Sequence, residues 1–132
     1  MISRALLDTS VFVARESGRP LDTAALPGEC AISTVTVAEL QLGVLAATDV
    51  AVRSRRIATL AAVGDLETLP IDTDVAATWA LLRVQLAQAQ RRMGVNDLWI
   101  AATALAHDLP VVTQEAGFDV IAEAGGLTVV RV

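Results

Sequence analysis

The sequence predicts an α/β fold, a short parallel sheet of four to five strands with helices on both faces, built by residues 1–132 as one domain. Three observations lead there. Short apolar strands alternate with helical stretches along the whole chain, and parallel pairing through right-handed crossovers is the economical way to join them. The chain is 54 % hydrophobic, mostly Ala, Val and Leu, with two Phe, two Trp and no Tyr, which suits a helix-rich core of small residues and not an aromatic-rich β-sandwich. Its 132 residues suffice to bury about two-thirds of the unfolded surface in one core.

The first strand sets the frame. Ile2 to Leu7 carries apolar side chains into the protein, and the run stops on Asp8, Thr9 and Ser10. A carboxylate at the end of a buried strand, where a helix begins, lies at the sheet edge where open α/β folds place ligands. Thr9 or Ser10 is also suited to cap the following helix. That helix covers residues 11–16 and stops near Gly18-Arg19-Pro20, and residues 22–26 form another helical turn before Pro27-Gly28. Residues 30–33 are the second strand. Thr34 or Thr36 caps the next helix, which has Val37, Leu40, Gln41 and Val44 near one face and ends about Ala47. A helix over residues 49–62 carries Arg53, Arg55 and Arg56 near its start, and Gly64 is placed to close it.

Residues 66–69 read as the third strand, ended by Pro70. Asp72-Thr73-Asp74 offers N-caps to a long helix over 75–90, with Ala76, Trp79, Ala80, Arg83, Leu86 and Ala87 near its apolar stripe. Arg91 to Gly94 is a polar loop, and Asn96 caps a helix over 97–107. Strand four is Val111-Val112-Thr113; a loop over 114–117 leads to a helix over 118–124, and Gly125-Gly126 turns into a last strand over 127–130.

Composition narrows the function. No apolar run approaches the ~20 residues needed to span a bilayer, and the N-terminus lacks the pattern of a signal peptide. Cys30 is the only cysteine, so it reads as a small buried hydrophobe in a reducing compartment, and a cytoplasmic protein is expected. The net charge of −5 argues against a generic nucleic-acid binder. All ten basic residues are Arg, however, and Arg is the better bidentate phosphate ligand; codon bias in a GC-rich genome accounts for the missing Lys equally well.

Four acids stand at equivalent places: Asp8 after strand one, Glu39 in the helix after strand two, Asp97 in the first turn of its helix, and Glu115 just past strand four. Carboxylates gathered in one pocket repel and raise one another's pKa values. A hard divalent cation relieves that repulsion, and oxygen-only ligands select Mg²⁺ or Mn²⁺. Each acid also has a plainer reading: Asp97 fits a helix N-terminus, Asp8 fits a cap, and Glu115 fits a solvated loop. Glu39, between Ala38 and Leu40, would be costly if unpaired.

Leu7-Asp8-Thr9-Ser10-Val11, Val37-Ala38-Glu39-Leu40-Gln41-Leu42-Gly43, Asn96 to Ala104 and Val111-Val112-Thr113-Gln114 resemble the sequence blocks of PIN-domain ribonucleases, most closely VapC-type toxins of bacterial type II toxin–antitoxin pairs. The resemblance covers essentially the whole chain in family order. It implies a Mg²⁺- or Mn²⁺-dependent endoribonuclease acting on structured RNA such as tRNA or rRNA. By position, Asp8, Glu39 and Asp97 are the implied metal-site acids, with Ser10 and Thr113 as hydrogen-bonding support and Asn96 beside them. The family adds acids after the fourth-strand Thr. Here Glu115 is the best substitute and Asp119 the runner-up, and Gly117 falls where some relatives carry another acid. The resemblance also implies a VapB-type antitoxin that wraps the domain and brings a helix and a basic side chain near the acids, and a homodimer through the helices between Thr34 and Ala62.

Arg91-Arg92 and Arg55-Arg56 are the densest basic spots. They fit RNA-phosphate contacts, and they fit a solvated loop and helix face. His107 suits a helix C-terminus, and Trp79 and Trp99 suit a core or a dimer interface. Receiver domains and haloacid-dehalogenase-type phosphatases also place an Asp after strand one, but both require a Lys and the chain has none. The remaining rival is a PIN-like module that has lost catalysis and acts by binding a partner or RNA. Whether Glu115 reaches the pocket of Asp8 and Asp97 separates the two.

Overall fold

The computed structural model describes residues 2–132. Five parallel strands form one sheet: β1 (Arg4–Leu7), β2 (Glu29–Ser33), β3 (Glu67–Leu69), β4 (Val111–Thr113) and β5 (Val129–Arg131). Their order is β3-β2-β1-β4-β5, with registers such as Leu6 opposite Ala31 and Val111. β2 and β3 step outward on one side of β1, and β4 and β5 on the other. The chain therefore reverses direction across the sheet between β1 and β4, and their carboxyl ends flank the crevice that such a reversal opens.

Six helices cover the two faces: α1 (Thr9–Ser17), α2 (Thr34–Ala46), α3 (Val50–Val63), α4 (Thr73–Gln88), α5 (Val95–Ala106) and α6 (Asp119–Gly125). Strand alternation divides the core between them. Ala5, Leu7, Ile32 and Val112 pack with Val11, Leu40 and Val63 on the α1–α2–α3 face. Leu6, Ala31 and Val111 pack with Leu82, Leu98, Ile100, Phe118 and Ile121 on the α4–α5–α6 face. Single 3-10 turns occupy Thr23–Ala25 and Ala116–Phe118.

Three of the helix caps differ from those the sequence indicates, and for α1 and α2 the residue one step earlier does the work. Asp8, not Thr9 or Ser10, caps α1, accepting from the Ser10 N–H. Ser33, not Thr34 or Thr36, caps α2 through the Val35 N–H. Asn96 is not a cap: α5 starts at Val95 with Gly94 at the cap position, so the Asn96 side chain is free to turn elsewhere. Gly64 closes α3 as expected, in a right-handed conformation. Asp49 and Asp72 do cap α3 and α4.

The buried line of α4 is Val75, Leu82 and Leu86, rotated from the expected stripe, and Ala76, Ala80, Arg83 and Ala87 are exposed. Alanine contributes too little area to decide which face turns inward; the larger aliphatic residues decide it. Trp79 and Trp99 stack across α4 and α5 with centroids 4.7 Å apart, and the Arg83 guanidinium lies over Trp79. The last strand runs two residues later than expected at its start, because Leu127 is buried as a core plug. Cys30 is half-buried, which pushes its thiol pKa up.

Gly125 lets α6 approach α4: a Cβ there would lie 2.8 Å from Leu82 Cδ2 and 3.3 Å from Ile121 Cγ2. Leu82 is fully buried and cannot swing away freely. Gly125→Ala is therefore expected to destabilise the protein by about 1–3 kcal/mol through overpacking, read as a lower urea midpoint at unchanged m-value.

Candidate active site

Asp8 follows β1 at the crevice and is only 3 % exposed. Its Oδ2 accepts three hydrogen bonds: Ser10 Oγ at 2.7 Å, Thr113 Oγ1 at 3.0 Å and the Ser10 N–H at 3.4 Å. Thr113 closes β4, the neighbour of β1, so sheet pairing brings it beside Asp8 across 105 residues of sequence. The same hydroxyls fasten the loop after β4: Ser10 Oγ accepts the Gln114 N–H at 3.0 Å, and Thr113 Oγ1 accepts the Glu115 N–H at 2.9 Å. Burial of this carboxylate is thus matched by donors, as a buried charge requires.

Glu39 lies on α2 and is half-buried. Thr9 Oγ1 donates to its Oε1 at 2.7 Å, and Thr9 Oγ1 is itself 2.9 Å from Thr36 Oγ1. Asn96 Nδ2 donates to its Oε2 at 3.5 Å, so the residue that fails as a cap links α5 to α2 instead. These partners answer the cost of a charge in an apolar stretch.

Asp97, in the first turn of α5, carries the clearest electrostatic signature. Partial burial pushes its pKa up to about 6, and the charges of Asp8, Glu39 and Glu115 push in the same direction. Gly94 and Gly117 both come close to it: a Cβ at either would lie 3.6 or 3.7 Å from Asp97 Oδ2. Asp8, Glu39, Asp97, Glu115 and Gly117 line one cavity of about 310 Å³. Glu115 is exposed at its rim. Asp119 points elsewhere, pairing with Arg131 at 3.6 Å, so of the two acids expected after β4 it is Glu115 that joins the others.

Among the described residues, no three His, Cys, Asp or Glu side chains are gathered into a closed metal cluster. The four acids share a cavity and do not form a finished shell. The donor set still fits a hard divalent cation: it is all oxygen, and its members already raise the pKa of Asp97 by mutual repulsion.

The basic pairs divide. Arg91 is held by Glu123 at 3.0 Å, and Arg56 donates to the Gly43 carbonyl at 2.7 Å. Arg92 and Arg55 are exposed; Arg92 shares a cavity with Arg83 and Arg91, just before the turn into α5. His107 stands at the C-cap of α5, as expected.

Three site residues escape a reading of sequence alone. Thr9 supports Glu39 in place of capping α1. Gln114 ties the site loop down, its Nε2 donating to the Pro20 and Val132 carbonyls at 2.9 and 3.0 Å. Arg19 lines the acidic cavity from the end of α1. No local signal marks these contacts, since each depends on segments far apart in sequence.

Comparison with known proteins agrees with this geometry. The PIN domain family model matches residues 5–124. Ribonuclease VapC5 of Mycobacterium tuberculosis is 51 % identical over 127 residues, covering 96 % of this chain and 94 % of that protein. Ribonuclease VapC4 of the same organism is 40 % identical over 129 residues, covering 97 % and 98 %. Among solved structures, the VapBC-5 toxin–antitoxin complex of M. tuberculosis contains a chain that superposes with a TM-score of 0.91 at 47 % identity, over 98 % of this chain and 99 % of that one. FitAcB from Neisseria gonorrhoeae superposes with a TM-score of 0.72 at 27 % identity, over 96 % of both chains.

Proposed function

The chain belongs to the PIN-domain family, and from that premise we propose that it is a VapC-type toxin: a Mg²⁺- or Mn²⁺-dependent endoribonuclease that cuts structured cellular RNA, tRNA or rRNA, and is restrained by a cognate VapB-type antitoxin. The observation that carries this reading is the convergence of Asp8, Glu39, Asp97 and Glu115 on one cavity at the strand-order reversal. The relatives named VapC ribonucleases and the VapBC complex among the structural neighbours support it. The place of Glu115 in the cavity favours catalysis over the rival, a catalytically inactive binding module.

In this reading the four carboxylates hold the cation, and Ser10 and Thr113 fix Asp8 by occupying its Oδ2. Thr9 and Asn96 orient Glu39 in the same way. A bound Mg²⁺ or Mn²⁺ supplies an activated water and stabilises charge on the phosphodiester. Removing the cation with EDTA leaves the acids mutually repelling and the RNA phosphate opposed by like charge.

Incubating the antitoxin-free protein with total cellular RNA tests the proposal. Discrete fragments are expected with Mg²⁺ or Mn²⁺ and none with EDTA. Intact RNA under every metal condition contradicts it.

The partner surfaces follow from the same reading. Leu42, Leu45, Val50 and Ile57 are exposed on α2 and α3, which supports a homodimer or antitoxin contact there. For RNA, Arg92 and Arg55 are better placed than Arg91 and Arg56, whose guanidinium groups already have protein partners. Arg92→Ala should weaken binding of a single-stranded oligoribonucleotide and flatten the log–log salt dependence by about 0.7 per lost phosphate contact. An unchanged slope removes Arg92 from the RNA path.

A further inference from the structure

Five of the ten arginines have an ion-pair or hydrogen-bond partner for their guanidinium among the described residues. Arg4 pairs with Glu67, Arg91 with Glu123 and Arg131 with Asp119, while Arg53 and Arg56 donate to the Ala47 and Gly43 carbonyls. Arg19 is different. It lines the cavity that holds Asp8, Glu39, Asp97 and Glu115. Among the described residues, neither an ion pair within 4.0 Å nor a side-chain hydrogen bond commits its guanidinium.

Its backbone, by contrast, is pinned on both sides. Gly18 ends α1 in the left-handed conformation, φ 74°, and the Arg19 N–H closes the turn on the Ala14 carbonyl at 2.9 Å. Pro20 follows with its fixed φ, and its carbonyl accepts from Gln114, the residue whose own N–H donates to Ser10 Oγ. The segment that presents Arg19 is therefore tied to the same loop that carries Thr113 and Glu115. A flexible arm on a fixed base, ending in an uncommitted bidentate donor at the edge of an acidic cavity, is suited to an anion that enters with its charge partly balanced by the acids' cation.

We propose that Arg19 is the phosphate-binding residue of the cavity, contacting nonbridging oxygens of the RNA backbone at or beside the bond that is cut. The inference rests on the ribonuclease reading above. Arg19 positions the phosphodiester and supplies positive charge to the nonbridging oxygens as they gain negative charge in the transition state.

The test compares wild type, Arg19→Ala, Arg19→Lys and, as a charge control at the opposite end of β1, Arg4→Gln. Three quantities are read: initial cleavage rate on total cellular RNA with Mn²⁺, affinity for a random-sequence 20-mer oligoribonucleotide with Ca²⁺ in place of Mn²⁺ across a KCl series, and Mn²⁺ affinity by calorimetry. Arg19→Ala is expected to lower kcat/KM by at least about tenfold and the salt slope by about 0.7, with Mn²⁺ affinity undiminished. Arg19→Lys recovers part of the rate, and Arg4→Gln tracks wild type. Wild-type cleavage with an equally active Arg19→Ala protein overturns the Arg19 assignment alone. So does a variant that loses only Mn²⁺ affinity. A wild-type protein that cuts no RNA overturns the ribonuclease reading, and this inference with it.

Discussion

Asp8→Asn is expected to reduce RNA cleavage on the order of 10³-fold while leaving the protein folded, because it removes one charge and little else. Asparagine is as good an N-cap as aspartate, and its carbonyl oxygen still accepts from Ser10 and Thr113, which hold Oδ2 in the wild type. Asp8→Ala should be equally inactive but also less stable. It removes the cap of α1, worth about 1 kcal/mol, and takes the shared acceptor from two buried hydroxyls, about 1–3 kcal/mol where they go unpaired. Ser10 Oγ and Thr113 Oγ1 are 3.2 Å apart and can bond each other, which places the expected total toward the low end. Cleavage rates and urea midpoints of the two variants separate the chemical role of the charge from its structural one. Equal activity in wild type and Asp8→Asn contradicts the metal-ligand assignment.

Asp97→Asn should abolish cleavage as fully and also change how stability depends on pH. The Asp97 carboxyl ionises at about 6 in the folded protein against 3.8 for its ordinary value, chiefly because burial disfavours the charge. Between those values the folded state holds a proton that the unfolded chain has released, so stability falls as pH rises. The contribution is full below about pH 4 and gone once pH has passed the folded value. Asp97 is partly open to solvent, so screening leaves about 1–2 kcal/mol of the nominal effect. Denaturation of metal-free protein at pH 5 and pH 7.5 reads it: pH 5 already lies inside the window, so the wild type should lose about half of that amount, roughly 0.5–1 kcal/mol, relative to Asp97→Asn. Parallel curves for the two proteins would show that Asp97 is not electrostatically burdened.

The fold was legible because its signals are local. Apolar strands ending in Asp8, Ser33 and Thr113, separated by helical stretches with Asp49 and Asp72 at their starts, leave few topologies other than a parallel sheet. The acids were legible for similar reasons: Asp8 and Glu115 follow strands, Asp97 lies in the first turn of a helix, and Glu39 is a charge set in an apolar stretch of α2. What was not legible depends on distant segments meeting. Asn96 sits where a cap is expected, yet Gly94 starts the helix and Asn96 bonds Glu39 on another helix. Glu115 and Asp119 are four residues apart and chemically similar, and only the turn over Ala116–Phe118 sends one to the cavity and the other to Arg131. The α4 stripe was blurred by Ala, which fits either face. Arg19 follows a helix-ending glycine like many surface residues, and only the folded cavity sets it apart.

The most direct test of the central claim, that these four carboxylates form a divalent-metal site, is calorimetric titration of Mn²⁺ into the antitoxin-free protein at pH 6 and pH 8. Saturable binding is predicted in the wild type and lost in Asp8→Asn, with more protons released at pH 6, where Asp97 is still partly protonated. No binding at either pH, or binding that survives Asp8→Asn unchanged, would contradict it.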